Sequence, residues 1–242
     1  MIEVMKDIKG IKSYFSTRHN GVSTAPFESL NIGFHVGDDE NSVLENHQYI
    51  KSFFKEDSKI SYMDQIHSNK VCHIGEFNEI ALCDALITDQ KDKILIVMVA
   101  DCIPILFFDQ KKKVISAIHA GRAGAFKNII AQTLSMMQKT YKSSTEDIIV
   151  SIGPHIHHCC YEVGKEIVDE AIALSLDKFI IEKDKGFFLD MQSLILEQLH
   201  VLGVHKENIE IVNECTACNV HRYFSYRKEG KTGRFCGVIM LE

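Results

Sequence analysis

The sequence lacks most of the features that mark multidomain, membrane-bound or exported proteins. It has three prolines in 242 residues, no internal repeat and no Pro- or Ser-rich linker that would indicate a domain boundary. The longest apolar run, 94–108, is shorter than the roughly 20 residues that span a bilayer, and Asp101 interrupts it. The first residues show no basic region followed by an apolar stretch, as an export signal requires. We therefore expect one domain over 1–242, located in the cytoplasm and independent of membranes.

Positive charge is also scarce. The chain has 27 Lys and Arg residues against 33 Asp and Glu, a net charge of −6, which excludes the broad positive field of a nucleic-acid-binding protein. We expect a small-molecule partner and a monomer or weak homo-oligomer. The eight cysteines are widely spaced in a long chain, so they indicate reduced thiols, metal ligands or a nucleophile rather than a disulfide framework.

Short β-type segments alternate with amphipathic helical stretches, which predicts a mixed α/β domain. The predicted strands are 13–17, 71–75, 94–100, 105–108, 114–118, 148–152, 209–212, 224–226 and 235–241. The predicted helices are 126–137, 161–174 and 191–202, and the lysines at 111–113 indicate a solvated hairpin tip.

The segment 99–104 places a carboxylate and a thiol side by side within an apolar region. Burying an unpaired carboxylate is costly, so Asp101 needs a compensating partner. Pro104 disfavours a continuous strand through this point, and we expect Asp101 and Cys102 to lie where one strand ends and another begins. The alternative is a core cysteine beside a capping aspartate.

Two histidines follow other β-type segments. His119 comes directly after the strand at 114–118 and before Gly121 and a helix, where backbone N–H groups favour an anion. His67 follows a third β-type segment. Together with Cys102, these residues form a recognised ligand set for catalytic zinc, which keeps a fourth position open. Spacing alone leaves their convergence undecided, and each histidine could instead be structural.

Two further groups of residues compete as metal sites. The pair Cys215 and Cys218 forms a single C-x-x-C with no evident second pair, so we predict a buried turn. The run 155–160 contains His155, His157 and His158 and two cysteines, which could bind a second metal or line a pocket.

A series of ordered motifs resembles the laccase-domain family. The motifs lie at 15–23, 26–33, 35–39, 65–67, 84–88, 100–104, 119–121, 152–154, 160–164, 189–190, 224–227 and 232–234. This family was once described as polyphenol oxidoreductases and later as zinc-dependent purine nucleoside phosphorylases with adenosine deaminase side activity. The resemblance implies that His67 of Gln-Ile-His, Cys102 of Ala-Asp-Cys and His119 of His-Ala-Gly bind the metal. It also implies a layered α/β (α+β) domain with mixed sheets, similar to the cysteine hydrolase fold of cytotoxic necrotizing factor.

The resemblance implies a reaction in which phosphate displaces a purine from adenosine, inosine or methylthioadenosine. We expect His67, Cys102, His119 and Asp101 to be catalytic, with Asp101 orienting a ligand histidine or transferring a proton. The candidate substrate-binding residues are Arg18, Asn46, Gln65, Gly121, Arg122 and Arg234. The sequence departs from the family in Arg122-Ala123-Gly124, where Trp-Arg-Gly is usual, and in His47 and Ser68, where Arg and Gly are usual.

Three other functions remain open. Thiolate and imidazole ligands also suit Cu²⁺, so a copper-dependent polyphenol oxidase is possible, although oxygen reduction needs several coppers and more histidines. Without a metal, Cys102 could be a hydrolytic nucleophile with His119 as its base, but a neighbouring Asp101 would raise the pKa of the thiol. A non-enzymatic metal carrier is the last alternative, and no exposed amphipathic stripe or charged tail favours it.

Overall fold

Two β-sheets pack face to face at the centre of the computed structural model, which describes residues 1–75, 80–184 and 186–242. The strands are β1 (Ile2–Glu3), β2 (Ile11–Phe15), β3 (Lys59–Ser61), β4 (Met63–Asp64), β5 (Val71–His73), β6 (Ala81–Leu82), β7 (Ala85–Thr88), β8 (Lys93–Val99), β9 (Ile103–Asp109), β10 (Val114–Ala120), β11 (Ile148–Ile152), β12 (Glu162–Val163), β13 (Ile180–Lys183), β14 (Gly186–Leu189), β15 (Ile209–Ile211) and β16 (Phe235–Leu241). The α-helices are α1 (Glu40–Lys51), α2 (Arg122–Phe126), α3 (Ile129–Tyr141), α4 (Lys165–Ala173), α5 (Met191–Val201) and α6 (Tyr226–Glu229). Short 3₁₀ helices lie at Phe34–Val36, Thr145–Asp147, Asp177–Phe179 and Lys206–Asn208.

The strands pair in mixed parallel and antiparallel order. One sheet has the order β1-β2-β16-β8-β3, and the other has the order β15-β11-β9-β10-β7-β5. A smaller sheet, β12-β14-β13, and the pair β4-β6 are the other sheets among the described residues. Strands β9 and β10 form an antiparallel hairpin whose tip carries the exposed lysines 111–113, as predicted.

Side chains that alternate along the central strands separate two of the hydrophobic cores. Leu106 and Phe108 of β9 pack between the two large sheets, whereas Ile105 and Phe107 point towards α3 and α5. Helix α1 covers the opposite face of the five-stranded sheet through Ile50. Because β9 and β10 are buried on both faces, most of their residues are apolar at consecutive positions.

The resulting layers confirm the predicted α/β class with mixed sheets flanked by helices. The layers are helices including α3 and α5, then the two large sheets, then α1, and the hydrophobic cores lie between them. None of the described helices is both long enough and apolar enough to cross a membrane.

The chain passes from one large sheet to the other at the segment that the sequence singled out. Strand β8 belongs to the five-stranded sheet and ends at Val99, and β9 begins the six-stranded sheet at Ile103. Asp101 and Cys102 lie in this crossover, which confirms that they separate two strands. Pro104 is accommodated as the second residue of β9, opposite His119 of β10.

Several predicted elements were wrong in type or extent. The stretch 224–226 is not a strand, because the Ser225 hydroxyl accepts a hydrogen bond from Lys228 N and caps α6. The helix predicted over 161–174 begins at Lys165, since 162–163 pair with β14. The helix predicted over 126–137 is two helices, α2 and α3, separated at Asn128. The backbone of Asn128 is left-handed, with a φ of 54°, and its side chain caps α3. Helix α1 was not predicted.

Candidate active site

The three predicted metal ligands come together at one end of the central hairpin. Cys102 directly precedes β9 and His119 lies near the end of β10, and the pairing of these strands makes the two residues neighbours. His67 reaches the same point from the loop after β4. The ligating nitrogen and sulfur atoms of the three residues all lie within 4.8 Å of one another. This convergence, which spacing alone did not decide, gives a donor set suited to one divalent transition-metal ion.

A buried carboxylate, Asp84, holds both histidines. Its Oδ1 accepts a hydrogen bond from His119 Nδ1 at 2.8 Å and one from the backbone N of His67 at 3.0 Å. Its Oδ2 accepts bonds from the backbone N and the hydroxyl of Ser68, both at 2.7 Å. Burial opposes the charge on Asp84, but the bonds from His119 and Ser68 outweigh it and lower the pKa of the carboxyl group. Asp84 therefore keeps Nδ1 of His119 protonated and leaves Nε2 as the nitrogen that would bind a metal ion after losing its proton.

The thiol of Cys102 and the imidazole of His119 shift each other's protonation. Burial by itself would raise the pKa of Cys102, but the charge of His119 and hydrogen bonds from both imidazoles lower it to about 6. Burial would lower the pKa of His119, yet Cys102 and Asp84 raise it to about 9. The pKa of Cys102 is therefore lowered, whereas the sequence led us to expect that the neighbouring Asp101 would raise it.

Gly121 leaves no room for a side chain beside the three ligands. A Cβ atom at this position would lie 3.0 Å from His67 Cδ2, 3.3 Å from Cys102 Sγ and 3.4 Å from His119 Cε1. Gly121 is also the N-cap residue of α2. Its absent side chain, rather than an unusual φ, allows the helix to start against the ligand group.

Asp101 has a backbone conformation that is rare for a residue with a side chain. Its φ is 89°, and three contacts hold it in place. Its carbonyl accepts from Ile156 N at 2.9 Å, and its carboxylate accepts from the Thr216 hydroxyl and from Arg227 N, both at 2.6 Å. Because its carboxylate is held by these groups and Asp84 binds His119, the structure gives the orienting role to Asp84 and not to Asp101. Asp101 instead positions the adjacent Cys102.

A cavity of about 200 Å³ opens beside Cys102. Its lining combines apolar side chains, two tyrosines, two arginines and the ligand cysteine: Ala100, Asp101, Cys102, Ile103, Ala120, Arg122, Ile156, Tyr161, Met191, Tyr226 and Arg227. An apolar wall with a few convergent polar groups is typical of a small-molecule site.

The arginines around this cavity differ in how they are held. Arg122 forms an ion pair with Glu170, and Arg227 donates to the carbonyl of Glu162 at 2.7 Å. The Arg227 guanidinium also lies 5.1 Å from the centre of the Tyr161 ring. Arg234 is half-buried, and burial lowers its pKa against the opposing charges of Cys102 and Asp101.

The structure places three predicted substrate-binding residues in structural roles. Gln65 pairs its side-chain amide with the backbone N and O of Met98. Asn46 is buried and engages the loop at 22–31 through both its oxygen and its nitrogen. Arg18 lines a separate cavity, where it is paired with Glu229 and backbone carbonyls. We therefore interpret these three residues as supports of the fold, whereas Arg122 lies at the cavity.

Among the described residues, the histidines at 155, 157 and 158 neither line this cavity nor join a metal-ligand group. His155 is fully buried, contacts the carbonyl of Gly153 through Nδ1, and has its pKa lowered to about 4 by burial. The cysteines of this region behave differently. The C-x-x-C forms the predicted turn, in which 215–217 are buried and Cys218 is exposed. Cys159 and Cys160 lie beside it, a second pair that the sequence did not reveal.

Sequence reasoning missed several residues of the site. Asp84 and Arg227 both lie within motifs that resemble the family, at 84–88 and 224–227, but neither was assigned a role. A buried aspartate at the start of an apolar strand was the available signal for Asp84. Nothing in the sequence distinguished Tyr161 and Met191, which line the cavity, from residues of the hydrophobic core.

Comparison with known proteins extends these observations over nearly the whole chain. A family model described as multi-copper polyphenol oxidoreductase laccase matches residues 12–242. A purine nucleoside phosphorylase of Corynebacterium glutamicum is 36% identical over 239 residues, covering 96% of this chain and 94% of that relative. The purine nucleoside phosphorylase YlmD of Bacillus subtilis is 31% identical over 249 residues, covering 97% and 90%. Among solved structures, YlmD of Geobacillus stearothermophilus is similar with a TM-score of 0.89 at 29% identity, covering 97% of this chain and 93% of that chain. The hypothetical protein YfiH of Bacillus licheniformis has a TM-score of 0.90 at 29% identity, covering 96% and 93%.

Proposed function

Because the chain belongs to the multi-copper polyphenol oxidoreductase laccase family and several of its relatives are named purine nucleoside phosphorylases, we propose that it is a zinc-dependent purine nucleoside phosphorylase. The observation that carries this proposal is the meeting of His67, Cys102 and His119 beside an arginine-containing cavity. The substrates would be phosphate and a purine nucleoside such as adenosine, inosine or methylthioadenosine.

The donor set fits a zinc ion. Two imidazoles and one thiolate are ligands that catalytic zinc accepts, and they leave a fourth position for substrate or water. Cys102 already has the lowered pKa of a ligand thiolate, and Asp84 holds His119 in the tautomer that a metal ligand needs. Bound zinc would supply a Lewis-acidic position for a substrate oxygen or a water molecule.

The chain's own side chains would bind the two substrates in the cavity beside Cys102. Arg122 and Arg227, which line the cavity, would hold phosphate by charge-assisted hydrogen bonds. Arg234, which interacts electrostatically with Cys102 and Asp101, would add positive charge nearby. Tyr161 and Met191 supply apolar surface for the purine. A phosphate oxygen would form a bond to the anomeric carbon as the bond to the purine nitrogen breaks, giving ribose 1-phosphate.

Proton transfer to the departing purine falls to a group that lines the cavity. Asp101 is the candidate among the predicted catalytic residues, since it lines the cavity; it would pass a proton from the attacking phosphate to the purine nitrogen. As a side activity, adenosine deamination would need water to attack C6 of the purine instead of the anomeric carbon, with ammonia as the leaving group and inosine as the product.

The test uses the zinc-loaded full chain with adenosine or inosine and phosphate. Chromatography should detect the free base and ribose 1-phosphate, and Cys102→Ala should abolish their formation. Cys72→Ala is the matched control, because Cys72 belongs to neither cysteine-containing metal group of the described residues. Absence of phosphorolysis in the zinc-loaded wild type, or full activity in Cys102→Ala, would refute the proposal.

A second candidate function rests on the electrostatics of the same residues. The Cys102 thiolate, the His119 imidazolium and the Asp84 carboxylate form a chain that resembles the nucleophile, base and orienting group of a cysteine hydrolase. A chelator separates the two candidates. Phosphorolysis should be lost on zinc removal and restored by zinc, whereas a hydrolase would stay active in the metal-free protein.

Copper-dependent oxidation of phenols is less well supported by the residues present. The group at Cys102 can hold one ion, and the other metal-ligand group in residues 1–75, 80–184 and 186–242 consists of four cysteines. Several clustered coppers held mainly by histidines therefore have no counterpart in this part of the chain. Metal analysis after expression without added copper, together with a phenol oxidation assay, distinguishes this function from phosphorolysis.

A further inference from the structure

We propose that Cys159, Cys160, Cys215 and Cys218 bind a second, structural zinc ion. Their four sulfur atoms lie within 4.8 Å of one another. The separations are 3.3 Å between Cys160 and Cys218, 3.6 Å between Cys159 and Cys218, and 3.7 Å between Cys159 and Cys160. A tetrahedral site with Zn–S bonds of about 2.3 Å has sulfur atoms about 3.8 Å apart. The sulfur atoms of Cys159, Cys160 and Cys218 are therefore close to the edge lengths of a zinc tetrathiolate, and Cys215 Sγ lies within 4.8 Å of each of them.

Backbone hydrogen bonds hold the two cysteine pairs in register. His155 and Cys215 form an isolated parallel bridge, in which Thr216 N donates to His155 O at 3.0 Å. The backbone N of His157 donates to Cys215 Sγ at 3.4 Å, a bond that stabilises a thiolate. The first cysteine pair lies in a turn closed by Cys160 N and the carbonyl of His157 at 2.9 Å.

Apolar packing alone holds these loops weakly. The satellite hydrophobic cluster of this region has Ile156, Cys215 and Ala217 as its buried members. Cys159 and Cys218 are exposed, so the sulfur atoms are accessible to an ion from solvent. A zinc ion would join loops that are almost 60 residues apart in sequence, a role that structural zinc fulfils where a core is small.

The cysteine cluster is connected to the active site through Thr216, which lies between Cys215 and Cys218. The Thr216 hydroxyl donates to Asp101, whose strained backbone precedes Cys102. On the other loop, Ile156 and Tyr161 flank the cysteines and line the cavity. The second zinc would thus stabilise one wall of the active site. The proposal itself does not depend on the phosphorylase reaction.

Counting zinc in the purified full chain tests the proposal. We expect two zinc ions per chain in the wild type, one in Cys218→Ser, one in Cys102→Ala and two in the control Cys72→Ser. With Co²⁺ loaded into Cys102→Ala, the strong visible absorption of tetrahedral tetrathiolate cobalt should appear, and it should be lost when Cys159→Ser is added. The proposal would be overturned if the wild type held two zinc ions and Cys218→Ser still held two. It would also be overturned if the wild type held one zinc ion and Cys102→Ala held none.

Thiol labelling of the wild type keeps the proposal testable if a cysteine variant does not fold. The exposed thiols of Cys159 and Cys218 should react with iodoacetamide slowly in the zinc-loaded protein and at least tenfold faster after chelation, as measured by peptide mass spectrometry. Equal rates with and without chelator would contradict a zinc site. A disulfide among these four cysteines in protein prepared anaerobically under reductant would also contradict it.

Discussion

Replacing Asp84 with asparagine should weaken zinc binding at His67, Cys102 and His119 without unfolding the protein. The variant keeps the shape of the side chain but removes its charge and turns one acceptor oxygen into an N–H₂ donor. Each carboxylate oxygen of Asp84 accepts two hydrogen bonds. In either orientation of the asparagine amide, its N–H₂ group would therefore face two hydrogen-bond donors.

The expected magnitude follows from the role of Asp84 as the partner of a ligand histidine. Loss of such a partner typically lowers metal affinity by about 10- to 100-fold. This corresponds to about 1.4 to 2.7 kcal/mol, at 1.36 kcal/mol for each factor of ten. The loss should appear in the dissociation constant for one zinc per chain, since His119 is no longer held with Nε2 towards the ion.

Competition with a chromophoric chelator measures this constant, in a Cys218→Ser background so that one zinc site is titrated. Asp109→Asn is the matched control, because Asp109 is equally buried but accepts from the backbone N atoms of Lys111 and Lys112 at the far end of β9. Thermal unfolding confirms that both variants fold. Unchanged zinc affinity in folded Asp84→Asn, or an equal loss in Asp109→Asn, would refute the reasoning.

Three further predictions concern protonation and packing. In zinc-free protein, the rate of Cys102 alkylation should fall as the pH drops through about 6, because the pKa of the thiol is lowered to that value. A midpoint near pH 9 in site-resolved mass spectrometry would contradict an ion pair between Cys102 and His119. Gly121→Ala should lower zinc affinity, since its Cβ would press on all three ligands. Gly75→Ala, whose Cβ meets a single atom at 4.0 Å, should not. Equal affinities of the two variants in a chelator titration would show that the ligands can shift. Burial lowers the pKa of His155 to about 4, from about 6.5 when unfolded, so its unfolded form binds more protons between these values. The stability of metal-free protein should therefore be maintained above pH 6.5 and fall by up to about 3 kcal/mol towards pH 4, with a flatter profile for His155→Gln in denaturant titrations.

The local sequence pattern predicted most of the central fold. The apolar runs of β8, β9 and β10 needed no tertiary information, because strands buried on both faces contain apolar residues at consecutive positions. Asp101 and Pro104 interrupt these runs, and the interruption correctly placed Cys102 between two strands. The resemblance to a known family then identified His67 and His119 as partners of Cys102, which spacing could not do.

Contacts between distant segments were decided by the tertiary structure alone. Asp84 meets His119 because β7 pairs with β10, and its sequence environment does not distinguish it from a capping aspartate. The pair Cys159 and Cys160 was not matched with Cys215 and Cys218 for the same reason. Periodicity reports which face of an element is buried, whereas a site depends on which elements lie side by side. That second property is set by strand order and by the packing of the whole chain.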